Sequence, residues 1–309
     1  MTRSAPRSID QYLRQLREEL AGEDAALIQD ALYDAEEYLR AEVAAHPDKS
    51  ESDVLELIAS TYGAPDEVAS AYRDTEAKVK AAMTTPRKIP KSGAGMFFGV
   101  FLDPRAYTSL FLMLLSLATG VIYFTFAVTG LALSAGLSVL VIGIPFFLLF
   151  MALTRVVSLA EGRLIEATTG ERMPRRPVHQ SSTDGFWARV GQMLKDRRTW
   201  TTLAYLILML PLGIAYFVIA VVGLSVSLAF IFAPLVELAS RFGWFGLPND
   251  LHSTPAWLDS LWAAPLLVLV GVLLLTTLMH LARGIGRLHA MYAKALLVAP
   301  TAPATAPGQ

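Results

Sequence analysis

The sequence contains no cysteine. That excludes a disulfide framework, a thiolate nucleophile and a Cys-ligated zinc site. Charge is scarce too, and the scarcity is local. Asp, Glu, Lys and Arg make up 17% of the chain, yet none occurs from Ala106 to Thr154, from Thr199 to Leu235 or from Ser260 to Met279. Catalytic patterns are missing as well. His46, His179, His252, His280 and His289 are scattered, with no HExxH spacing, and the chain has no P-loop, nucleophile elbow or Gly-rich dinucleotide turn. These absences point away from an enzyme, a metal site and a bound cofactor.

What the chain does have is apolar residue in blocks. It is 54% hydrophobic, with a mean hydropathy of +0.46. A membrane helix needs roughly 20 apolar residues to cross the hydrocarbon. The first uncharged run suffices for two helices, the second for one plus a tail, and the third for one. The expected fold is therefore all-α, with four transmembrane helices behind a polar N-terminal region. With no Asp, Glu, Lys or Arg expected inside the helices, a channel or a transporter acting alone is disfavoured. Pro145 and Pro234 lie in apolar segments and are expected to kink or end helices.

The membrane region repeats itself. Asp103 to Ser134 and Asp196 to Ser227 align at an offset of 93 residues with 14 of 32 positions identical. The matches include Asp103/Asp196, Arg105/Arg198, Thr108/Thr201, Gly120/Gly213, Tyr123/Tyr216, Gly130/Gly223 and Ser134/Ser227. This reads as an internal duplication. The shared Asp-x-Arg-x-aromatic-Thr motif is expected to cap each helix start through Asp and to meet lipid phosphate through Arg. Ser116-x-x-x-Gly120 and Ala132-x-x-x-Gly136 are spacings that permit close helix approach. Further on, Gly162-Arg163-Leu164 answers Gly286-Arg287-Leu288 at an offset of 124, so copy two carries 31 extra residues. That insertion holds Trp244, Phe245, Asp250 and Trp257. It is expected to be external, either as a ligand-sensing loop or as a plain interfacial anchor.

Basic residues fix the expected orientation. Lys and Arg cluster before the first helix, between helices two and three, and after helix four, whereas Thr129 to Ser138 has none and Glu237 to Asp259 has only Arg241. Both termini and the central loop are then cytoplasmic, and the two hairpins enter the membrane in the same direction. The expected divisions are an acidic cytosolic helical domain at 1–80, a linker at 81–95, a membrane domain at 96–295 with repeats at about 96–170 and 186–295, and a disordered tail at 296–309.

Residues 1–80 carry 18 acids against nine bases, a net of −9, and the remainder carries nine acids against 17 bases, a net of +8. Such an acidic head would be repelled by nucleic acid and suits a basic protein surface. It reads as four amphipathic helices. Apolar stripes run through Ile9, Tyr12, Leu13, Leu16 and Leu20, then through Leu27, Ile28, Ala31, Leu32, Ala35, Tyr38, Leu39 and Val43, and then through Val54, Leu57, Ile58 and Tyr62. Ser50 to Asp53 is a capping-box pattern, Gly63 a C-terminal cap, and Pro65 a helix opener.

Two resemblances rest on these stretches. The segments YLRQLREEL, ALYDAEEYL and STYGAPDEVASAYR make the first 80 residues similar to the HAAS-type helical signalling domain. The segment DRRTWTTLAYLILMLPLGIAYFVIAVVGLS, with the later GRL, resembles the sensor domain of some bacterial membrane sensor kinases. The resemblance implies a bacterial inner-membrane regulatory protein. It would couple a membrane or external signal to a cytosolic partner, either a transcription regulator or a subunit of an ABC-type transporter. No kinase core is expected after helix four, so output would pass through the helical head. Membrane lipids are expected partners, and a homo-oligomer is open.

Overall fold

Ser8, Asp24 and Ser50 decide where the first three helices begin. Each puts a side-chain oxygen on a first-turn backbone N–H, to Gln11, Ala26 and Asp53 respectively. The computed structural model describes residues 5–83, 92–139, 143–176, 191, 195–244 and 263–298. In it these caps start α1 (Ile9–Glu19), α2 (Ala25–Ala45) and α3 (Glu51–Thr61), and Pro65 opens α4 (Pro65–Met83). Gly63 joins α3 to α4 at φ +107°, a conformation that costs a side-chain-bearing residue dearly.

The head closes over one core that includes Tyr12, Leu16, Leu20, Ile28, Leu32, Leu39, Val54, Ile58 and Val68. The buried Tyr12 donates its hydroxyl to the Gly63 carbonyl at 2.8 Å, tying α1 to the α3–α4 turn. One expected core position is wrong. Leu57 is 48% exposed, and Leu55 is buried in its place. At about 100° per residue, Val54, Leu55 and Ile58 share an arc whose centre lies well away from Leu57.

The chain resumes as a short helix α5 (Gly93–Phe98), capped by Ser92, and a 3-10 turn at Gly99–Leu102. Four long helices follow: α6 (Pro104–Leu137), α7 (Gly143–Thr169), α8 (Arg197–Arg241) and α9 (Ala263–Leu297). All four are long and apolar enough to cross a bilayer. Among the described residues there is no strand.

The bundle is inside out relative to a water-soluble one. On α6 the buried residues include Ala106, Ser109, Ser116, Gly120, Gly130 and Ser134, all small. Phe111, Val121, Ile122 and Leu133 of the same helix are exposed. Water would penalise that arrangement, whereas lipid rewards it: the hydrocarbon solvates large apolar side chains, and small residues let backbones approach. This is the architecture of a multi-pass membrane protein.

Backbones approach closely where α6 meets α8. A side chain on Gly120 would begin 2.6 Å from the Met209 carbonyl oxygen, and one on Gly213 would begin 2.2 Å from the Ser116 carbonyl oxygen. These two contacts are reciprocal, since Gly120 and Gly213, and likewise Ser116 and Met209, are 93 positions apart. The Ala132-x-x-x-Gly136 spacing marks no such approach, because nothing lies within 4 Å of a side chain built at Gly136.

Proline has less effect than its sequence positions suggest. Pro145 sits in the first turn of α7, where its missing N–H has no helical acceptor to lose. α8 runs unbroken past both Pro211 and Pro234 to Arg241. The linker and tail also shift. α5 starts inside the expected linker, residues 84–91 lie outside the described residues, and α9 extends to Leu297, past the expected start of the tail.

Candidate functional site

The motif residues of both copies sit at one end of the bundle, and they make matching contacts. Asp103 Oδ1 accepts from the Arg105 N–H at 3.1 Å, and Asp196 Oδ1 accepts from the Arg198 N–H at 3.0 Å. Thr108 donates to the Thr168 carbonyl near the end of α7, and Thr201 donates to the Leu296 carbonyl at the end of α9. Each motif thus starts its own helix and staples it to the last turns of the next one. The Arg partners differ. Arg105 is exposed, whereas Arg198 is drawn inward and donates to Gln29 Oε1 at 3.3 Å.

Gln29 belongs to the head, and this is where the head seats. Asp30, 5% exposed, accepts from the backbone N–H groups of Arg175 and Arg176 at 2.8 and 2.9 Å and from the Arg172 guanidinium at 3.2 Å. Arg172 also pairs with Glu76. Arg176 pairs with Asp34 at 2.9 Å and lies over the Tyr33 ring. Lys294, on α9, reaches Asp24 at 2.5 Å and Glu171 at 3.1 Å. Burial pushes the Asp30 carboxyl above the usual aspartate range, against the pull of its three donors. The Glu166 carboxylate, 2.7 Å from Arg175, raises that guanidinium. The acidic head therefore has a basic protein surface to sit on within its own chain.

A second polar cluster lies deeper and takes one residue from every long helix. Glu161 of α7 is 0% exposed. Its carboxylate accepts from the Tyr123 hydroxyl of α6 and the Tyr205 hydroxyl of α8, both at 2.7 Å. His289 of α9, also buried, places Nε2 3.3 Å from the Tyr205 oxygen and 3.8 Å from Glu161. Since the Tyr205 proton goes to Glu161, the His289 Nε2–H must donate to Tyr205. His289 Nδ1 and the Tyr292 hydroxyl have no hydrogen-bond partner among the described residues. Tyr216 packs edge-on against the His289 ring. Such a network can hold a proton and can lock both hairpins together, and an ionisable group at this depth marks function more often than scaffold.

The cluster overturns one expectation directly. The helix interiors do hold an acid, because α7 continues 15 residues beyond Thr154, where the uncharged run stops. Tyr123 and Tyr216 were singled out in the sequence by the repeat, whereas Glu161, Tyr205 and His289 were not. Their signal was the spacing: Glu161 lies one residue before Gly162, and His289 lies three residues after Gly286. His280 lies apart from this cluster. It stacks on Phe97, with Nε2 2.9 Å from the Phe97 carbonyl, beside the Arg283–Asp103 pair. Of the loop residues expected to bind a ligand, Trp244 is 79% exposed just beyond α8, and Phe245, Asp250 and Trp257 lie outside the described residues.

The class is thus a multi-pass α-helical membrane protein whose four long helices share a buried polar network and support a docked helical head. Residues 112–297 match the family described as "Putative sensor", and the chain belongs to that family. No curated protein matches the chain, and no solved structure does.

Proposed function

We propose that this protein is a sensor of the bacterial inner membrane that reports to a cytosolic partner through a HAAS-type head. Both termini and the Arg172–Arg176 segment face the cytoplasm. The observation that carries this reading is a single covalent path. Glu161, at the centre of the four-helix network, sits on α7. That helix runs directly into the segment whose backbone N–H groups hold Asp30 of the head. A stimulus that repacks the hairpins would move the end of α7 and with it the seat of the head. The same acids that dock the head would then be free for a basic surface on a partner. The stimulus enters from the lipid or through the external loop at 237–259, with Trp244, Phe245, Asp250 and Trp257 as its contact residues.

In this reading the chain performs no chemistry of its own, binds no nucleic acid, needs no cofactor and works as a monomer or homo-oligomer. The alternative is an accessory subunit of an ABC-type transporter, favoured by the same basic docking surface. Photocrosslinkers placed through residues 20–60 in living cells separate the two. Capture of a transcription regulator that increases when Asp30 is replaced by Ala supports the sensor, and capture of a transporter subunit supports the alternative. Labelling of a cysteine near residue 30 by an impermeant reagent outside intact cells would refute both.

A further inference from the structure

We propose that the cleft between the start of α6 and the end of α7 binds a phosphate-bearing anion. The cleft has a volume of about 470 Å³, and its lining includes Arg105, Thr108, Arg163, Glu166 and Arg175. Three guanidinium groups therefore face one carboxylate. Glu166 is already paired with Arg175 at 2.7 Å. Arg105 and Arg163 make no ion pair among the described residues. Two uncompensated guanidinium groups around one cleft repel each other, and a shared anion removes the repulsion. Phosphate suits them best, because its oxygens accept the parallel N–H pairs that a guanidinium fork presents.

Two further observations sharpen the assignment. Gly170, at φ +72°, leaves room at the arginine. A side chain there would begin 3.6 Å from Arg105 Nη2, in contact with the guanidinium at the cleft wall. Arg198, which occupies the matching position in the other half of the bundle, is taken up by Gln29 of the head. Arg105 has no such occupant, so the two halves are alike in sequence and unlike in availability. The place is also right for two sources of the same chemistry. The exposed apolar side chains Leu102, Tyr107 and Phe111 flank the start of α6, which puts the cleft level with bilayer headgroups. Its open side would equally admit inorganic phosphate or a phosphorylated metabolite.

The cleft is wired to the head. Arg175 holds Glu166 with its side chain and Asp30 with its backbone N–H at 2.8 Å. A phosphate that competes for Arg175 perturbs the seat of the head, and only this last step rests on the sensing proposal.

The test uses the full chain in neutral detergent. Native mass spectrometry titrates phosphatidylglycerol against uncharged diacylglycerol, and calorimetry titrates inorganic phosphate. Each is run on the parent, on R105Q/R163Q, and on R197Q/R287Q, which removes the same charge from exposed sites elsewhere. Ala167→Phe fills the cleft without changing charge. The expected result is at least about tenfold weaker phosphatidylglycerol or phosphate binding in R105Q/R163Q and in A167F, with R197Q/R287Q near the parent. Lipid dependence identifies a headgroup site, and phosphate dependence alone identifies a soluble ligand. Equal binding by all four proteins overturns the proposal. Binding that leaves head docking unchanged, read by crosslinking between residues 30 and 175, removes the coupling to sensing and leaves the site standing.

Discussion

Replacing Glu161 tests whether the four helices share one polar network. Its carboxylate accepts two hydroxyls at 2.7 Å in a fully buried setting. Hydrogen bonds to an ionised group contribute about 1.5–3 kcal/mol each. Gln keeps one acceptor oxygen and turns the other position into a donor, so Tyr123 or Tyr205 must rotate or lose its partner. E161Q is therefore expected to cost about one such bond, or 1.5–3 kcal/mol. E161A strips both hydroxyls and leaves a void, for about 3–5 kcal/mol. A fourfold apolar variant, Y123F/E161M/Y205F/H289L, removes Glu161 and its three hydrogen-bonding neighbours at once and creates no new orphan. Such wholesale replacement of a buried ionic set is often near neutral, so this variant should lie close to the parent. Unfolding of the full chain by steric trapping in a bilayer gives the free energies, and a double-mutant cycle of E161Q with Y205F gives the coupling. A coupling below about 0.5 kcal/mol, or a fourfold variant as unstable as E161A, would refute the network as a unit.

Gly213→Ala and Gly120→Ala should each destabilise the bundle by about 1–3 kcal/mol, because the new methyl meets a backbone carbonyl that cannot move aside. Gly136→Ala is the control and should melt like the parent. Asp30→Ala, which removes the acceptor of the Arg175 and Arg176 N–H groups, should loosen the head while leaving its fold intact, seen as faster hydrogen exchange in residues 170–176 with α1 and α3 unchanged. Because burial raises the Asp30 carboxyl when docked, its contribution is fully present below the undocked pKa and is lost as pH rises through the docked one. Docking through Asp30 therefore tightens as pH falls into the carboxylate range, and a FRET pair between α3 and the end of α9 reads it. The Arg176–Asp34 and Lys294–Asp24 pairs are partly exposed and screened. High salt should lower the same FRET signal, and insensitivity would assign docking to apolar contact instead.

The parts legible in the sequence were those with a period or a cap. Ser50, Gly63 and Pro65 punctuate the head, and hydrophobic length alone finds α6 to α9. The motif aspartates were readable as caps because capping is local, reaching only two residues along the chain. Leu57 was misplaced because a stripe read by i and i+3 spacing tolerates an error of one position in where its centre falls. Glu161 and His289 were not legible, because each needs three other helices to become a site. Glu161 stands between Ala160 and Gly162 and eight residues from the end of α7, where a charge ordinarily means solvent.

Charge counts alone go further than they first promise, provided they are taken by segment. A head of −9 beside a remainder of +8 predicts attraction between the two but does not choose between self-docking and a partner. The contacts decide which acids are engaged. Asp24, Asp30, Asp34 and Glu76 face the bundle, whereas Glu51 accepts the Ile9 N–H at 2.6 Å within the head. A partner that reads the head by charge must therefore either displace the Arg172–Arg176 segment or bind acids outside this set. In the first case D30A raises partner capture, since it weakens the intramolecular competitor. In the second it leaves capture unchanged. That makes Asp30 the residue on which competition between self-docking and signalling can be measured.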